Sequence, residues 1–492
     1  MTSTSPKKYG HWIAGAWYQP EQGHYPIVNP ATEEAVGHAP EGHAAEVWAA
    51  AKAARTAFGD WSRTDPRERA AVLDRIGELI RERADELVPL VRAETGVPTR
   101  VVKSVHLPAL AECFRRYARA ALEPDTVPFA PHPVTASPLA PGGLIGAAAV
   151  RRPLGVVACV TASHFSLAGL VGKIAPALAA GNTVVAKPGP QDPLGCFELG
   201  PLTKEAGLPD GVLNVVTGSG PITSEALIAH YDIDMVSFTG PTAAGKRLAV
   251  ATADQLKRTL LELGGKGAAI VLEDADEKAF DAALTAVGAT FSLHSGQLST
   301  APTRMLVHRS LYEKAVAGLT QYAQELTVGD PVDSSTIVGP LVSAAQRDRV
   351  EAYVEDARQQ GARVAVGGER PSLKPGFYVA PTVLADVTPD MAVAQEEIPG
   401  PVVVVIPFDD EDEAVRIANG TPYGLYDYLF SGDTARAWAL AARLRSGSVG
   451  INTAQRHPET PFGGFKESGI GRDGGSFGLH AYTELQSVVW PS

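Results

Sequence analysis

Three cysteines carry the most nucleophilic side chains of the sequence, and they are Cys113, Cys159 and Cys196. Their spacing suits neither a disulfide framework nor a zinc site. Cys159 lies inside the apolar run 155–160, which predicts a buried strand, and the other two lie on predicted helices. None of these positions suits a nucleophile. The cysteine usage favours a reducing cytoplasm as the compartment.

A glycine-rich segment near the end of the chain is a second feature with chemical meaning. GIGRDG (469–474) fits the pattern GxGxxG literally. It follows no strand of a βαβ unit, however, so it does not qualify as a dinucleotide-binding fingerprint. Candidate binding residues must therefore be sought where strands and helices alternate.

The pattern of strands and helices predicts where such residues are positioned. From Gly155 to about Asp254, short apolar runs alternate with helical segments in the βαβ manner. The predicted strands are 155–160, 182–188, 212–218 and 234–240. This order predicts a doubly wound parallel sheet, which commonly binds dinucleotides at the carboxyl ends of its strands. A second α/β alternation begins after the strand 268–274.

Length and composition narrow the class of protein. A chain of 492 residues exceeds one hydrophobic core and predicts two or three domains. A net charge of −12 without long basic runs argues against a nucleic-acid partner. No window holds about 18 uninterrupted apolar residues, and the N-terminus lacks the apolar core of a secretory signal. We therefore expect a cytoplasmic globular protein without a membrane span.

Seven segments together resemble the aldehyde dehydrogenase superfamily. They occur in the order and approximate spacing of that family and cover roughly residues 140 to 490. Each alone is a common glycine-rich turn, whereas seven in order identify the chain as a member. The segments are PALAAGNTVVAKP (176–188), FTG (238–240) with Gly245, LELGGK (261–266), GQLSTAPTR (296–304), EEIPGPV (396–402), TPYGL (421–425) and PFGGFKESGIGR (461–472).

The resemblance implies an α/β architecture with three parts. A Rossmann-type coenzyme domain would comprise residues 1–128 and 153–262, and a second α/β catalytic domain residues 263–460. Residues 129–152 and 478–492 would form a β-arm for oligomerisation, since an isolated ribbon is marginally stable by itself. It also implies NAD or NADP as coenzyme, a small aldehyde or acyl substrate, and a homodimer or homotetramer.

The same resemblance assigns the catalytic positions, with two departures from the family pattern. Glu262 matches the general base that activates water for hydrolysis of an acyl-enzyme. Ser299 stands where the family has its nucleophilic cysteine, and a serine hydroxyl is almost wholly protonated at neutral pH. His164 stands at the asparagine that binds the oxyanion, and a neutral imidazole can donate one hydrogen bond. Lys173 and Asp473 match polar positions linked to the water relay, where structural salt bridges are an equal alternative.

Ser299 and His164 also suggest a different chemistry. At the family positions they would lie close enough to pair, and a histidine can activate a serine hydroxyl. Such a site would form acyl-enzymes from esters or thioesters without redox chemistry.

Some of the family's coenzyme-binding positions have the family residue in this sequence, and others do not. The resemblance assigns Thr161, Lys187, Gly240, Thr242, Gly245 and Glu397 to coenzyme binding. Pro190 replaces the glutamate that reads the ribose hydroxyls, and this loss removes a repulsion to a 2′-phosphate, so both NAD and NADP are expected to bind. Pro241 and Pro399 replace a serine and a phenylalanine, which weakens the predicted contacts.

The substrate passage is predicted from four positions. Phe165, Phe291 and Leu298 indicate an apolar or aromatic aldehyde, whereas Arg456 could meet a carboxylate. Ordinary packing roles are the alternative for each.

Three explanations for the serine remain open. It could be an engineered exchange in a normal dehydrogenase, a natural change in an enzyme of non-redox acyl transfer or hydrolysis, or the mark of a catalytically silent ligand-binding member. An engineered exchange alone would not explain His164 or Pro190. The retained Glu262, Lys187 and Glu397 favour an NAD(P)-binding enzyme that oxidises an aldehyde through a covalent hemiacetal and acyl-enzyme, with the reaction attenuated or trapped by the serine.

Overall fold

The computed structural model describes residues 6–138, 140–163 and 165–491. Its strands, labelled in chain order, are β1 Lys7–Lys8, β2 His11–Ile13, β3 Ala16–Tyr18, β4 His24–Val28, β5 Ala35–Pro40, β6 Thr126–Val134, β7 Gly143–Pro153, β8 Val156–Thr161, β9 Thr183–Lys187, β10 Leu213–Val215, β11 Met235–Thr239, β12 Arg258–Glu262, β13 Ala268–Val271, β14 Arg304–His308, β15 Arg363–Val366, β16 Thr382–Ala385, β17 Val402–Phe408, β18 Tyr426–Phe430, β19 Ser448–Ile451, β20 Gly469–Ile470 and β21 Thr483–Pro491.

The helices surround these strands and are mostly of ordinary length. They are α1 Ala44–Trp61, α2 Pro66–Glu82, α3 Ala84–Thr95, α4 Thr99–Val101, α5 Leu107–Ala120, α6 Ser166–Ala179, α7 Leu194–Glu205, α8 Ile222–Ala229, α9 Thr242–Ala253, α10 Glu277–Ser292, α11 Tyr312–Gln324, α12 Ala344–Gln359, α13 Ala392–Gln395, α14 Glu411–Asn419, α15 Thr434–Ala441 and α16 Gly475–Ala481. A π-helical turn, Val102–His106, joins α4 to α5. Within the described residues, no helix combines the length and apolar character that a membrane span requires.

The first large sheet contains the predicted doubly wound core. Its strand order is β20-β12-β11-β8-β9-β10-β2-β3, and β8 to β12 pair in parallel. Every residue of β8 and β9 is buried, as expected of strands with helices on both faces. The parallel order brings the carboxyl ends of β8, β9, β11 and β12 to one edge. The predicted fold class is confirmed in this half.

The second large sheet has the order β15-β16-β17-β14-β13-β18-β19 and is parallel apart from β15. It is the second α/β alternation expected from the sequence. The connection from β12 to β13 spans only residues 263–267 and joins the two sheets directly. The carboxyl end of the last parallel strand of the first sheet therefore lies beside the second domain.

A third sheet combines the insert with the C-terminal strand. Strand β21 pairs with β7 from Thr483 opposite Pro153 to Pro491 opposite Ile145, and β6 pairs on the other side of β7. Strand β6 begins at Thr126, three residues before the predicted arm. Large apolar side chains are exposed on this sheet, among them Phe129 and Trp490.

Candidate active site

Two glycines in the connection from β12 to β13 bring the predicted catalytic segments together. A Cβ at Gly265 would lie 2.1 Å from the carbonyl oxygen of Ser299. A Cβ at Gly264 would lie 2.4 Å from Oε2 of Glu397. Because only glycine leaves room for such approaches, the sequence LELGGK is what allows the serine segment and Glu397 to contact the end of β12.

Ser299 lies in a turn after α10 that has an unusual backbone. His294, Ser295 and Gly296 have φ angles of 54°, 53° and 75°, so two non-glycine residues occupy the left-handed region. Gln297 stabilises the turn, because its Nε2 donates to the His294 carbonyl at 3.1 Å and its Oε1 accepts from Val342 N–H at 3.0 Å. These contacts fix the approach to Ser299, which is half-buried.

Tertiary contacts hold the other side of the same turn. The Tyr428 hydroxyl donates to the Thr300 carbonyl at 2.9 Å, next to Ser299. The Ser295 hydroxyl donates to the Gly339 carbonyl at 2.9 Å. The loop that carries Ser299 is therefore restrained by hydrogen bonds with Tyr428 and Gly339.

Glu262 ends β12 and is held by two donors. Its Oε2 accepts from Lys173 Nζ at 2.8 Å and from the Thr239 hydroxyl at 2.6 Å. Burial alone would raise the pKa of Glu262, but the charge of the fully buried Lys173, these two hydrogen bonds and the charge of Arg456 together lower it. The side chain is thus ionised and can act as a base toward a water or hydroxyl.

A second carboxyl group, that of Asp473, interacts with Glu262 and Lys173, and its pKa is raised instead of lowered. Burial and the charge of Glu262 raise the pKa of Asp473 to about 6, although the charge of Lys173 opposes the change. Oδ1 of Asp473 accepts from the Tyr117 hydroxyl at 3.2 Å and from Gly474 N–H at 2.7 Å. One carboxylate and one partly protonated carboxyl group in a single buried cluster can receive and release a proton near neutral pH.

The predicted oxyanion donor, His164, lies outside the described residues. Its neighbour Phe165 lies between two histidines that the sequence analysis did not single out. The Phe165 ring centroid is 4.9 Å from that of His106 and 5.3 Å from that of His294, in edge-to-face geometry. Burial lowers the pKa of His106 to about 4, so its ring is neutral. These aromatic rings and Leu167 line a pocket between α5 and α6.

The remaining substrate-side positions differ in their surroundings. Leu298 is half-buried beside Ser299. Arg456 is exposed, and its guanidinium carbon lies 3.9 Å from the centroid of the Phe462 ring. Phe291 is fully buried in the hydrophobic core beside the second sheet, where it packs with residues of β13, β17 and α11. The structure therefore places the Phe291 side chain in the core, which agrees with the alternative packing role.

Two buried polar groups at the edge of the first sheet have no partner. Lys187 ends β9 and is 4% exposed, and its ammonium group forms no hydrogen bond or ion pair with any described residue. Burial lowers its pKa to about 8, partly offset by the carboxylates of Asp192 and Glu41. Thr161 ends β8, and its buried hydroxyl likewise lacks a partner in the described part of the chain. Unpaired buried polar groups are costly, so both suit a polar ligand.

The start of α9 adds features that fit a phosphate group. A Cβ at Gly245 would lie 2.4 Å from the Leu263 side chain, so this glycine lets α9 pack closely on the end of β12. Gly240 N–H donates to the Glu262 carbonyl at 3.0 Å, and Oγ1 of Thr242 accepts from Gly264 N–H at 3.3 Å. The first turn of α9 has no acidic residue, which leaves its N-terminus favourable for an anion.

Glu397 lies on the second domain, opposite this edge. Burial raises its pKa, although Gly265 N–H donates to Oε1 at 3.5 Å and the charge of Lys266 opposes the rise. Lys187 and Thr161 lie at the carboxyl ends of β9 and β8, and Glu397 contacts the connection that follows β12. Together with the N-terminus of α9, these groups have the chemistry that suits a dinucleotide with a hydroxyl-bearing ribose at each end.

Comparison with known proteins agrees with this geometry. The Aldehyde dehydrogenase family matches residues 17–488. The chain is 37% identical over 488 residues to betaine aldehyde dehydrogenase of Bacillus subtilis, covering 97% of this chain and 96% of that protein. It therefore belongs to the aldehyde dehydrogenase family, and the predicted family and enzyme class are confirmed.

Solved structures agree in fold as well as sequence. A cysteine-to-alanine variant of aldehyde dehydrogenase C from Pseudomonas syringae, in complex with NAD+ and octanal, has a TM-score of 0.91 and 40% identity, covering 98% of this chain and 96% of that one. An NAD+ complex of aldehyde dehydrogenase from Bacillus cereus has a TM-score of 0.91 and 37% identity, with coverage of 98% and 96%. The expectation of NAD or NADP as coenzyme agrees with these findings, whereas the residue roles stay predictions.

Proposed function

We propose that this protein oxidises a small aldehyde to a carboxylic acid with NAD(P), through a covalent adduct on Ser299, at a rate attenuated by the serine. The observation that carries the proposal is the ionised Glu262, held by Lys173 and Thr239 at the end of β12, with the Ser299 segment packed on Gly265 in the connection that follows. A base and a candidate nucleophile thus flank the same short connection between the domains.

In the first step, Glu262 would take the proton of the Ser299 hydroxyl and pass it on through Asp473, while the hydroxyl oxygen attacks the aldehyde carbon to form the anion of a hemiacetal. The backbone N–H of Ser299 would stabilise the oxyanion, with His164 as the predicted second donor. A bound nicotinamide would accept the hydride from this adduct. Lys187 and Glu397 would hold the two riboses, and the N-terminus of α9 would face the pyrophosphate.

In the second step, Glu262 would take a proton from the water that hydrolyses the acyl-enzyme. Lys173 keeps the carboxylate ionised, and Asp473, with its pKa near 6, would pass the proton onward. A serine ester is hydrolysed readily once water is activated, so formation of the adduct is the step that the serine slows. The lower nucleophilicity of a hydroxyl explains the attenuation.

The arm is proposed to join copies of this chain. Its sheet exposes Val127, Phe129, Leu485, Val489 and Trp490. An exposed apolar ribbon of this kind is stabilised when it packs on another subunit, as a homodimer or homotetramer would allow.

A side-by-side assay of the protein and its Ser299→Cys variant tests the proposal. NADH or NADPH formation is followed with aliphatic and aromatic aldehydes, and coenzyme binding is measured by calorimetry. Fast turnover by the cysteine variant, with much slower but measurable turnover by the Ser299 chain, is the expected result. If neither protein turns over any aldehyde while both bind coenzyme, the oxidation proposal is wrong. The alternative acyl transfer or hydrolysis by Ser299 and His164, or a silent binding role, would then be tested with esters and thioesters.

A further inference from the structure

The carboxyl edge of β9 and β10 holds a carboxylate that none of the family motifs includes. The segments after these two strands lie side by side, since Val216 N–H donates to the Ala186 carbonyl at 3.0 Å. The Thr217 hydroxyl also reaches the Pro188 carbonyl at 3.5 Å. The turn after β10 is therefore part of the surface around the unpaired ammonium group of Lys187.

Glu41 reaches this surface from the connection between β5 and α1. Its Oε1 accepts from Ser219 N–H at 2.9 Å and lies 3.0 Å from the position of a Cβ on Gly218. Its Oε2 accepts no hydrogen bond from any residue that the structure describes. The side chain is half-buried. Its negative charge raises the pKa of Lys187, against the larger lowering by burial. A carboxylate with one oxygen that accepts no hydrogen bond from a described residue thus lies near Lys187, the residue proposed to hold the ribose of the adenosine half of the coenzyme.

We propose that Glu41 selects NAD over NADP by accepting a hydrogen bond from the 2′-hydroxyl of the adenosine ribose. Pro190 replaces the glutamate that reads the ribose hydroxyls in the family. Glu41, on the connection between β5 and α1, would supply a carboxylate in its place. A 2′-phosphate would instead bring two negative charges against the Glu41 carboxylate, and such a like-charge contact lowers affinity. This inference rests on the proposed binding of NAD(P). It adds a preference for NAD to the expectation, drawn from Pro190, that both coenzymes bind.

Equilibrium binding tests this assignment independently of turnover. The dissociation constants of NAD+ and NADP+ are measured by calorimetry for the natural protein, for Glu41→Gln and for a control, Glu34→Gln. Glutamine keeps an oxygen for Ser219 N–H, so the variant removes the charge and retains the structural hydrogen bond. Glu34 is exposed on the connection between β4 and β5 and undergoes the same change of charge.

We expect the natural protein to bind NAD+ at least about tenfold more tightly than NADP+, which corresponds to one carboxylate contact of ordinary strength. In Glu41→Gln, NAD+ affinity should fall and NADP+ affinity should rise, so that the ratio approaches one. Glu34→Gln should keep the natural ratio. If Glu41→Gln also keeps it while NAD+ still binds, the assignment of Glu41 is wrong and the proposed function stands. If the natural protein binds neither coenzyme, the proposed function is overturned and this inference with it.

Discussion

Two regions of the molecule are built by different means: the proposed coenzyme edge, with Thr161, Lys187 and the N-terminus of α9, and the proposed reaction centre, with Glu262 and Ser299. At the proposed coenzyme edge, backbone features dominate: a close glycine contact at Gly245 and the N-terminus of α9 lie beside the unpartnered Thr161 hydroxyl. At the proposed reaction centre the chemistry depends on side chains: the hydrogen bonds from Lys173 and Thr239, with the charges of Lys173 and Arg456, lower the pKa of Glu262 against the effect of burial. Replacing one side chain such as the nucleophile therefore alters the chemistry of the centre while the coenzyme edge stays intact.

The largest expected effect is on kcat when Glu262 is replaced, and it should leave coenzyme binding unchanged. In the Ser299→Cys background, Glu262→Gln should lower kcat by about 10²–10⁴-fold, because a glutamine cannot take the proton from the hydrolytic water. Coenzyme affinity should stay within twofold of the parent, since the coenzyme edge does not depend on this charge. Steady-state kinetics and calorimetry measure the two quantities.

The control for Glu262→Gln is Glu467→Gln, which removes an exposed carboxylate that pairs with Lys246 at 2.8 Å. It should leave kcat unchanged. A loss of coenzyme binding in Glu262→Gln equal to its loss of turnover would contradict the separation of the two regions.

Gly265→Ala should give the next largest effect, on stability and activity together. Its Cβ would lie 2.1 Å from the Ser299 carbonyl oxygen, so the two backbone segments would have to move apart. Overpacking of this kind costs about 1–3 kcal/mol of unfolding free energy. The measurement is urea unfolding, with kcat of the cysteine-background variant as the second readout.

Gly59→Ala is the matched control, because Gly59 lies within α1 and a Cβ there meets no atom within 4 Å. In a helix that exchange should be neutral or stabilise the protein by up to about 1 kcal/mol. Equal stability of the two variants would show that the glycine at the junction is not required for close approach.

Much of the fold was predictable because both sheets are built from local strand–helix alternation. The strands β8, β9 and β11 begin and end within a residue or two of the predicted runs. The segment from Pro66 to Thr95 has one continuous helical pattern, yet the structure divides it at Arg83, whose φ of −98° and ψ of 17° interrupt the helix. Periodicity cannot reveal such a break, because the apolar stripe continues across it.

The sequence predicts which residues belong to the candidate site, but not which of their side chains contact one another. The sequence places Glu262 and Lys173 far apart, and only the order of β8, β11 and β12 in the sheet brings the carboxylate to the lysine. Phe291 has the residue type expected of a substrate passage, but apolar spacing on a helix is shared by core residues, and the core is where it lies. His106 and His294 gave no signal, because isolated histidines on a helix or a turn match no motif.

The smallest expected effect concerns Arg456. This side chain is exposed, and it acts on its surroundings through its charge. Its guanidinium group stacks on Phe462 and is exposed, and we propose that it meets a substrate carboxylate. Arg456→Gln should raise KM for a short aldehyde with a terminal carboxylate by about two- to fivefold, as expected for one exposed charge contact. KM for an uncharged aldehyde of the same length should not change.

The same variant should shift the acid limb of the kcat profile. Arg456 helps to lower the pKa of Glu262, so its loss raises that pKa and moves the acid limb to higher pH. Arg67→Gln, an exposed arginine at the start of α2, is the control and should leave both the KM ratio and the pH profile in place. An unchanged KM ratio with a shifted profile would show that Arg456 acts on the base alone. In that case its charge belongs to the set of side chains that, with Lys173 and Thr239, keeps Glu262 ionised, and the substrate passage discriminates by shape.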